Sequence, residues 1–203
     1  MQKKDIKAVL FDLDGVLVDS LDAWFYVFND SLGSFGFGKL SKKEFTRDFG
    51  APIEKDVKKH FRGKTVKEVE SAYNACFNKR AKYVKLSAQA KNVLQKLKNK
   101  NIKIGLVTNS TSLITLAILR HFKLTGYFDV ILTMNDVRRG KPHPDMALKA
   151  CKMLKVSPKC ALLVGDTQND MLAGKRAGCF TIGYKTKGDL EIKKLNEIFF
   201  LLQ

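Results

Sequence analysis

The sequence predicts an α/β fold with a parallel β-sheet, and two observations lead to this prediction. The first is a short apolar stretch at residues 6–11, interrupted only by Lys7, which is typical of a strand covered on both faces. The second is a regular alternation of helical and strand patterns that begins at Ser87. Such an alternation indicates a parallel sheet whose connecting helices cover its faces. Ligands of these sheets bind at the carboxyl ends of the strands, so residues that directly follow a strand are candidates for function.

The length and composition agree with one globular domain, or one domain with a small insertion. The chain has 203 residues, of which 45% are hydrophobic, so it can bury a sizeable core. No apolar run approaches the roughly 18 residues that a membrane-spanning helix needs, and the stretch before Asp12 is too short for a signal-peptide core. The four cysteines show no C-x-x-C spacing, which argues against a zinc site and a disulfide framework. We therefore expect a soluble cytoplasmic protein without a membrane partner.

The chain is strongly basic, with 37 lysines and arginines against 20 acidic residues and a net charge of +17. This balance raises the hypothesis of nucleic-acid binding. However, only seven of the basic residues are arginines, and the lysines are spread along helical patterns rather than gathered with aromatic residues in one stripe. We therefore expect no specific binding of nucleic acid. Two interpretations of the charge stay open: a solvated lysine-rich surface, and attraction of small anionic substrates.

Two carboxylates and a glycine directly follow the first strand. Asp12 and Asp14 lie two positions apart, so both side chains can point the same way, and Gly15 allows a sharp turn behind them. Carboxylates this close repel each other, which raises the pKa of one unless a cation or a proton neutralises the pair. The pair therefore suits an ionised nucleophile or metal ligand beside a protonated general acid. The alternative is a simple turn, since aspartate and glycine are common turn residues.

Residues 20–84 predict a small helical module inserted after the first strand. Residues 21–32 are apolar on one helical face, and Ser20 is the expected N-cap of this helix. Residues 41–44 and 65–68 are capping-box patterns that start further helices. The phenylalanines of the module are expected to form its core.

The second buried strand, residues 102–107, is followed by Thr108, Asn109 and Ser110. A hydroxyl and free main-chain amides just past a strand end, with a helix starting nearby, form an arrangement that can hold phosphate. The same residue types are also the usual N-caps of helices, and both roles can coexist.

A third strand, residues 128–132, precedes Lys141. The proline that follows, Pro142, favours an extended backbone at Lys141. This restriction holds the stem of one lysine in place, whereas most lysines of this chain would swing freely.

The fourth strand, residues 161–164, is followed by an acidic pair, Asp166 and Asp170. Two carboxylates at a strand end suit a metal site, but Thr167 with Asp170 also fits a helix-capping pair. A fifth strand is expected at residues 179–183 and an amphipathic C-terminal helix at residues 189–202.

The residues after four of these strands resemble, in order, the four signatures of the haloacid dehalogenase superfamily of aspartyl-phosphate hydrolases. The matching strings are Asp-x-Asp-Gly-x-x-x-Asp-Ser at residues 12–20, Thr-Asn-Ser at 108–110, Gly-Lys-Pro-x-Pro at 140–144 and Gly-Asp-x-x-x-Asp at 165–170. The resemblance is greatest to the phosphoglycolate phosphatase and β-phosphoglucomutase branch. It implies a Rossmann-like parallel sheet of order 5-4-1-2-3, a core domain of residues 1–19 and 85–203, and a helical C1 cap domain of residues 20–84. The segment 183–195 is shorter than in many members, which leaves the edge of the sheet undetermined.

By this resemblance, Asp12 is the nucleophile that attacks phosphorus and forms an aspartyl-phosphate. Asp14 protonates the leaving alkoxide and then deprotonates the attacking water. Thr108, the Asn109 amide and Lys141 are expected to hold the transferring phosphoryl oxygens.

The resemblance also implies a Mg²⁺ cofactor, an ion that prefers oxygen ligands. The expected metal-binding residues are Asp12, the Asp14 carbonyl and Asp166, with Asp170 orienting that set. Within the cap, the loop Gly50-Ala51-Pro52 resembles one that faces the substrate. Nearby candidates for contact with an anionic substrate are Arg47, Lys55 and His60, and a solvated position is the alternative for each.

The function that the resemblance implies is a Mg²⁺-dependent phosphatase that hydrolyses small phosphomonoesters, with phosphoglycolate as the first candidate substrate. Its partner would be a small phosphorylated metabolite, and the chain would act as a monomer or homodimer. Two alternatives stay open: a phosphosugar mutase of the β-phosphoglucomutase type, and a basic non-enzymatic binding protein on the same fold.

Overall fold

The computed structural model describes residues 5–202, and its centre is a six-stranded parallel sheet. The strands of the described chain are β1 (Ala8–Phe11), β2 (Val18–Asp19), β3 (Lys85–Leu86), β4 (Lys103–Val107), β5 (Val130–Leu132), β6 (Ala161–Gly165), β7 (Phe180–Tyr184) and β8 (Leu190–Ile192). Six of them form the central sheet, in the order β5-β4-β1-β6-β7-β8, and every neighbouring pair is parallel. The predicted order of five strands is therefore confirmed, and β8 adds a sixth strand at one edge.

The described helices are α1 (Leu21–Ser34), α2 (Lys42–Asp48), α3 (Ile53–His60), α4 (Val66–Arg80), α5 (Ala90–Asn99), α6 (Ser112–His121), α7 (Asp145–Leu154) and α8 (Gln168–Ala177). Successive side chains of β1 point to opposite faces of the sheet. Val9 and Phe11 pack in one apolar cluster with α5 and α6, whereas Ala8 and Leu10 pack in another with α7 and α8. Both faces of β1 are thus covered, which explains its unbroken apolar sequence. Within residues 5–202, no helix combines the length and apolar character needed to cross a membrane.

The predicted C-terminal helix at residues 189–202 is wrong. Its first part forms β8, in which Leu190 pairs with Ile182 of β7, and residues 195–201 form a 3-10 helix. The carboxylate of Asp189 accepts hydrogen bonds from the main-chain N–H and the hydroxyl of Thr181, at 2.9 and 2.8 Å. These contacts hold the segment against the sheet edge, where its main chain forms hydrogen bonds with β7. The apolar spacing of the segment predicts a helix and gives no sign of this pairing.

The four helices α1–α4 lie between β2 and β3, which pair with each other as a short antiparallel ribbon. The paired residues Asp19 and Lys85 directly flank residues 20–84, the predicted cap. The division into a core domain and a cap domain stays a prediction, which this ribbon supports. Phe28 lies at the centre of the helical module and contacts Phe45 and Phe61, with ring centroids 5.4 and 5.3 Å away.

Both predicted capping boxes of this helical module are confirmed. The Ser41 hydroxyl accepts from the main-chain N–H of Glu44, whose carboxylate accepts from Ser41 N–H in return. Thr65 and Glu68 form the same reciprocal pair at the start of α4. These local hydrogen bonds explain why the two helices begin where the sequence predicts.

Candidate active site

Three of the predicted site residues lie at the carboxyl ends of three neighbouring strands. Asp12 follows β1, Thr108 follows β4 and Asp166 follows β6, and the two outer strands both pair with β1. Parallel strands direct these ends to one edge of the sheet. Asp12, Asp14, Thr108, Asn109 and Lys141 line a single cavity there, with a volume of about 80 Å³.

Lys141 is a buried ammonium held between two carboxylates. Its Nζ lies 2.7 Å from Asp12 Oδ1 and 2.6 Å from Asp170 Oδ1, and it also donates to the Val107 carbonyl at 3.1 Å. Burial alone would lower the pKa of Lys141, but Asp12 and Asp170 outweigh it and raise this pKa above its usual value. The side chain is therefore a fixed positive charge beside Asp12.

Burial raises the pKa of Asp12 well above its usual value, and this effect outweighs the opposing attraction of Lys141. The neighbouring carboxylates, Asp170 and Asp166 foremost, add to the rise. The Asp12 site thus holds more negative charge than Lys141 alone can balance.

Asp170 has both of its carboxylate oxygens engaged. Oδ1 accepts from Lys141, and Oδ2 accepts from the main-chain N–H and hydroxyl of Thr167, at 3.1 and 2.5 Å. Thr167 and Asp170 thus form the helix-capping pair that was the alternative interpretation, and they do so at the start of α8. The capping role coexists with the ion pair to Lys141, because a different oxygen of Asp170 serves each.

Asp166 completes a cluster in which Asp12, Asp166 and Asp170 each offer an oxygen within 4.8 Å of the others. Its Oδ1 atom is buried and has no hydrogen-bond partner within residues 5–202. Burial, followed by repulsion from Asp170, raises the pKa of Asp166 to about 7. A buried carboxylate oxygen without a donor is costly, so this site favours a bound cation.

The acidic cluster fits a Mg²⁺ ion in charge and in chemistry. When all three carboxyl groups are ionised, they exceed the positive charge of Lys141 by two, which one divalent cation balances. Carboxylate and carbonyl oxygens are the ligands that Mg²⁺ prefers.

The turn at Gly15 passes very close to this cluster. Its φ is +80°, and a Cβ at this position would lie 1.9 Å from Asp166 Oδ2. Only glycine allows both the backbone angle and the contact.

Asp14 is held by three donors that sequence reasoning did not assign to it. Its Oδ1 accepts from the Ser20 hydroxyl and from Trp24 Nε1, the latter at 3.0 Å, and its Oδ2 accepts from the Ser110 hydroxyl at 2.7 Å. Ser20 occupies the N-cap position of α1, as predicted, but its side chain makes no cap hydrogen bond and donates to Asp14 instead. No sequence signal marks Trp24, whose place on the apolar face of α1 predicted only core packing.

The Asn109 side chain connects the core to the cap rather than pointing at the cavity alone. Its Oδ1 accepts from Lys141 N–H at 2.8 Å, and its Nδ2 donates to the Lys141 and Gly50 carbonyls at 2.9 and 3.3 Å. The Gly50 carbonyl accepts a second bond from Asn169 Nδ2, at 3.1 Å. The side-chain amide is so engaged, and the main-chain N–H of Asn109 stays the predicted donor to a phosphoryl oxygen.

The cap supplies the other wall of the cavity. Gly50, Ala51 and His60 line it, whereas Arg47 and Lys55 are not among its lining residues. The Lys55 ammonium instead lies 3.3 Å from the Asp48 carboxylate. Of the three candidates for contact with an anionic substrate, only His60 therefore reaches the cavity.

Comparisons with known proteins agree with this geometry. A family model described as haloacid dehalogenase-like hydrolase matches residues 9–184. A phosphoglycolate phosphatase from Aquifex aeolicus is 33% identical over 180 residues, which is 87% of this chain and 83% of the relative. A pyrophosphatase PpaX from Anoxybacillus flavithermus is 29% identical over 211 residues, covering 98% of this chain and 97% of the relative.

Solved structures share the fold. A HAD-superfamily hydrolase of subfamily IA from Geobacter sulfurreducens superimposes with a TM-score of 0.74 at 27% identity, and 98% of each chain is covered. CbbY from Rhodobacter sphaeroides, solved in complex with phosphate, has a TM-score of 0.84 at 21% identity over 95% of this chain and 96% of that one, a likeness of fold alone. The family model spans β1 to β7 and all four predicted signatures, so the chain belongs to the haloacid dehalogenase-like hydrolase family.

Proposed function

We propose that this chain is a Mg²⁺-dependent phosphatase that hydrolyses small phosphomonoesters through an aspartyl-phosphate on Asp12. The observation that carries the proposal is the buried Asp12 carboxylate, 2.7 Å from the Lys141 ammonium and in the same cavity as Asp14. A carboxylate that is fixed, desolvated and paired with a buried cation suits nucleophilic attack on an anionic phosphoryl group.

The proposed reaction uses the chain's own residues in two steps. In the first, an Asp12 oxygen forms a bond to phosphorus as the ester oxygen leaves, and Asp14 gives that oxygen a proton. In the second, Asp14 takes a proton from water, the water oxygen bonds to phosphorus, and the bond to Asp12 breaks to release inorganic phosphate. The three donors on Asp14 hold its carboxyl group in one orientation through both transfers.

In this proposal, Lys141 and the metal supply the positive charge that offsets the negative phosphoryl oxygens. Asp12, the Asp14 carbonyl and Asp166 would hold Mg²⁺, and Asp170 would orient that set through Lys141 and the cap of α8. When bound, the ion would offset negative charge on the transferring group. Thr108 and the Asn109 main-chain N–H complete the proposed phosphoryl cradle.

The wall that the cap gives the cavity and the names of the relatives support a small substrate. Aromatic side chains of the cap line the cavity opposite the strand ends. The relative named phosphoglycolate phosphatase and the relatives named pyrophosphatase carry names of small phosphorylated substrates. We therefore propose a small phosphorylated metabolite, and no nucleic-acid terminus, as the substrate class.

The direct test is release of inorganic phosphate from p-nitrophenyl phosphate with Mg²⁺, measured for the full chain. Turnover that exceeds the Mg²⁺-only blank and saturates with substrate supports the proposal. Absence of turnover with any member of a phosphomonoester panel would overturn it. Isomerisation of a phosphosugar without release of phosphate would indicate the mutase alternative instead.

Removing the metal should abolish turnover, and Asp166→Asn should raise the Mg²⁺ concentration that half-saturates activity by about tenfold or more. The amide keeps the shape of the side chain but removes one charged ligand, and loss of a charged ligand weakens Mg²⁺ binding strongly. The measurement is a Mg²⁺ titration of aryl-phosphate hydrolysis after chelation. Glu191→Gln, which changes an exposed carboxylate of β8, is the matched control. Full activity in excess chelator would contradict the metal assignment.

Trp24→Phe should lower kcat by about tenfold, because it removes one of three donors that orient Asp14 while keeping an aromatic ring against Tyr73. The KM for p-nitrophenyl phosphate should change much less, since the indole N–H contacts Asp14 and not the phosphoryl cradle. Tyr26→Phe, on the same helix but outside the cavity lining, is the control. An unchanged kcat would show that Trp24 only packs.

A further inference from the structure

The wall of the cavity that the cap provides differs in chemistry from the phosphoryl end. It is lined by aromatic and aliphatic side chains together with His60 and two carboxylates, Asp48 and Asp56. The aromatic members of this wall are Trp24, Phe28, Phe45, Phe49 and Tyr73. A leaving group bound here therefore meets rings and acidic oxygens rather than a basic pocket.

The two carboxylates are not equivalent, because Asp48 already forms ion pairs with lysines of the cap. It pairs with the Lys59 ammonium, lies 3.3 Å from Lys55 Nζ and 3.6 Å from His60 Nε2. The hydrogen bond from Lys59 is the main reason that the pKa of Asp48 falls to about 2. Asp48 thus has its countercharge within the cap and offers little to a ligand.

Asp56, by contrast, lacks a cationic partner among the described residues. The one hydrogen bond it accepts comes from the neutral Tyr73 hydroxyl, which donates to Oδ2 at 3.0 Å. Burial raises the pKa of Asp56 to about 7, and the charged groups that act on it are Asp48, Lys55 and Glu54. A cation placed against this carboxylate would remove the cost of keeping it ionised.

The rings beside Asp56 favour the same kind of ligand. Tyr73 contacts Trp24 and Phe28, with ring centroids 5.6 and 5.9 Å away. Aromatic faces attract ammonium groups, and the attraction grows when the site is shielded from water. A carboxylate next to several rings is thus complementary to a small organic cation.

We propose that the substrate is a small phosphorylated amino alcohol, whose ammonium group binds Asp56 and the ring of Tyr73 while its phosphoryl group lies at Asp12. This inference rests on the proposed phosphatase function and names the leaving group for it. Asp56 is then a specificity-determining residue of the cap.

An anionic leaving group is disfavoured by the same charges. Among the described residues that line the cavity, Lys141 is the only lysine or arginine, and it is engaged by Asp12 and Asp170. His60 also lines the cavity, but burial and the nearby Lys59 lower its pKa, which favours the neutral imidazole. The carboxylate of phosphoglycolate would therefore face Asp56 without a free cation to offset the repulsion. The proposed substrate thus differs from phosphoglycolate, the substrate first expected from the sequence.

Three esters of nearly equal size isolate the charge of the leaving group: 2-aminoethyl phosphate, 2-hydroxyethyl phosphate and phosphoglycolate. The wild-type chain should show a kcat/KM for the aminoethyl ester at least about tenfold above that for the hydroxyethyl ester, the effect of one charged hydrogen bond. The kcat/KM for phosphoglycolate should be lower still. Each ratio is taken on one preparation with Mg²⁺, so it does not depend on the folded fraction.

Asp56→Asn should bring the ratio of aminoethyl to hydroxyethyl ester to within about threefold of unity, since the isosteric amide has no charge. Asp56→Lys should invert the order in favour of phosphoglycolate. Glu54→Gln, two positions away on α3 and exposed, is the matched control and should keep the wild-type ratio. Tyr73→Phe should also keep the ammonium preference, because the carboxylate remains.

The outcomes separate this inference from the function on which it rests. Hydrolysis of p-nitrophenyl phosphate with equal or higher kcat/KM for phosphoglycolate would overturn the ammonium assignment and leave the phosphatase standing. An aminoethyl preference that survives Asp56→Asn would overturn the role of Asp56. Failure to hydrolyse any ester, aryl phosphate included, would overturn the proposed function and this inference with it.

Discussion

Replacing Asp12 by asparagine is expected to reduce kcat for aryl-phosphate hydrolysis by about three orders of magnitude or more. The amide has the shape of the carboxylate but offers no ionised oxygen to attack phosphorus. Asp12 is buried and adjoins Lys141, which keeps its second carboxylate partner, Asp170, in the variant. The fold should therefore survive while the chemistry stops.

The measurement is steady-state turnover with Mg²⁺, accompanied by circular dichroism to show that the variant is folded. Asp19→Asn, at an exposed position of the ribbon strand β2, is the control and should keep wild-type turnover. Rapid acid quenching of the wild type during turnover should trap phosphate on the protein, and the variant should trap none. Retention of more than a few per cent of wild-type turnover would rule out Asp12 as the nucleophile.

Replacing Lys141 by methionine is expected to abolish turnover and also to destabilise the protein. Lys141 is 3% exposed and holds both Asp12 and Asp170, so its loss leaves two buried carboxylates without their cation. Removing one partner of a buried ion pair costs about 3–5 kcal/mol of unfolding free energy. Methionine fills a similar volume, so a packing defect contributes little.

Urea unfolding without Mg²⁺ measures the stability effect, and aryl-phosphate hydrolysis measures the catalytic one. The double variant Lys141→Met with Asp170→Asn should recover part of the stability, because one unpaired charge is gone, but none of the turnover. Lys152→Met, an exposed change on α7, is the control for loss of a lysine. Equal stability of Lys141→Met and wild type would contradict the charge balance inferred for the acidic cluster.

Much of the fold followed from local patterns in the sequence. Strands such as β1 and β6 are covered on both faces, and unbroken apolar runs are the direct consequence of that burial. The helix starts at Ser41 and Thr65 depend on hydrogen bonds three residues apart, so they too could be read from the chain. β8 could not, because its pairing with β7 depends on neighbours that the helical pattern of the segment does not encode.

The position of the site could also be predicted from local patterns in the sequence. Asp12, Thr108 and Asp166 each follow a strand directly, and parallel strands bring such residues to one edge of the sheet. The sequence by itself thus determined the family, the strand order and the residues that meet at the carboxyl ends of the strands.

The tertiary structure alone decided which side chains surround those residues. Ser20, Trp24 and Ser110 come from separate segments and meet on Asp14 only after the cap and core have packed together. In the same way, nothing in the sequence distinguishes Asp48 from Asp56. Folding gives Asp48 its cations and leaves Asp56 with only a neutral hydroxyl, since ion pairing depends on distance in space and not on separation along the chain.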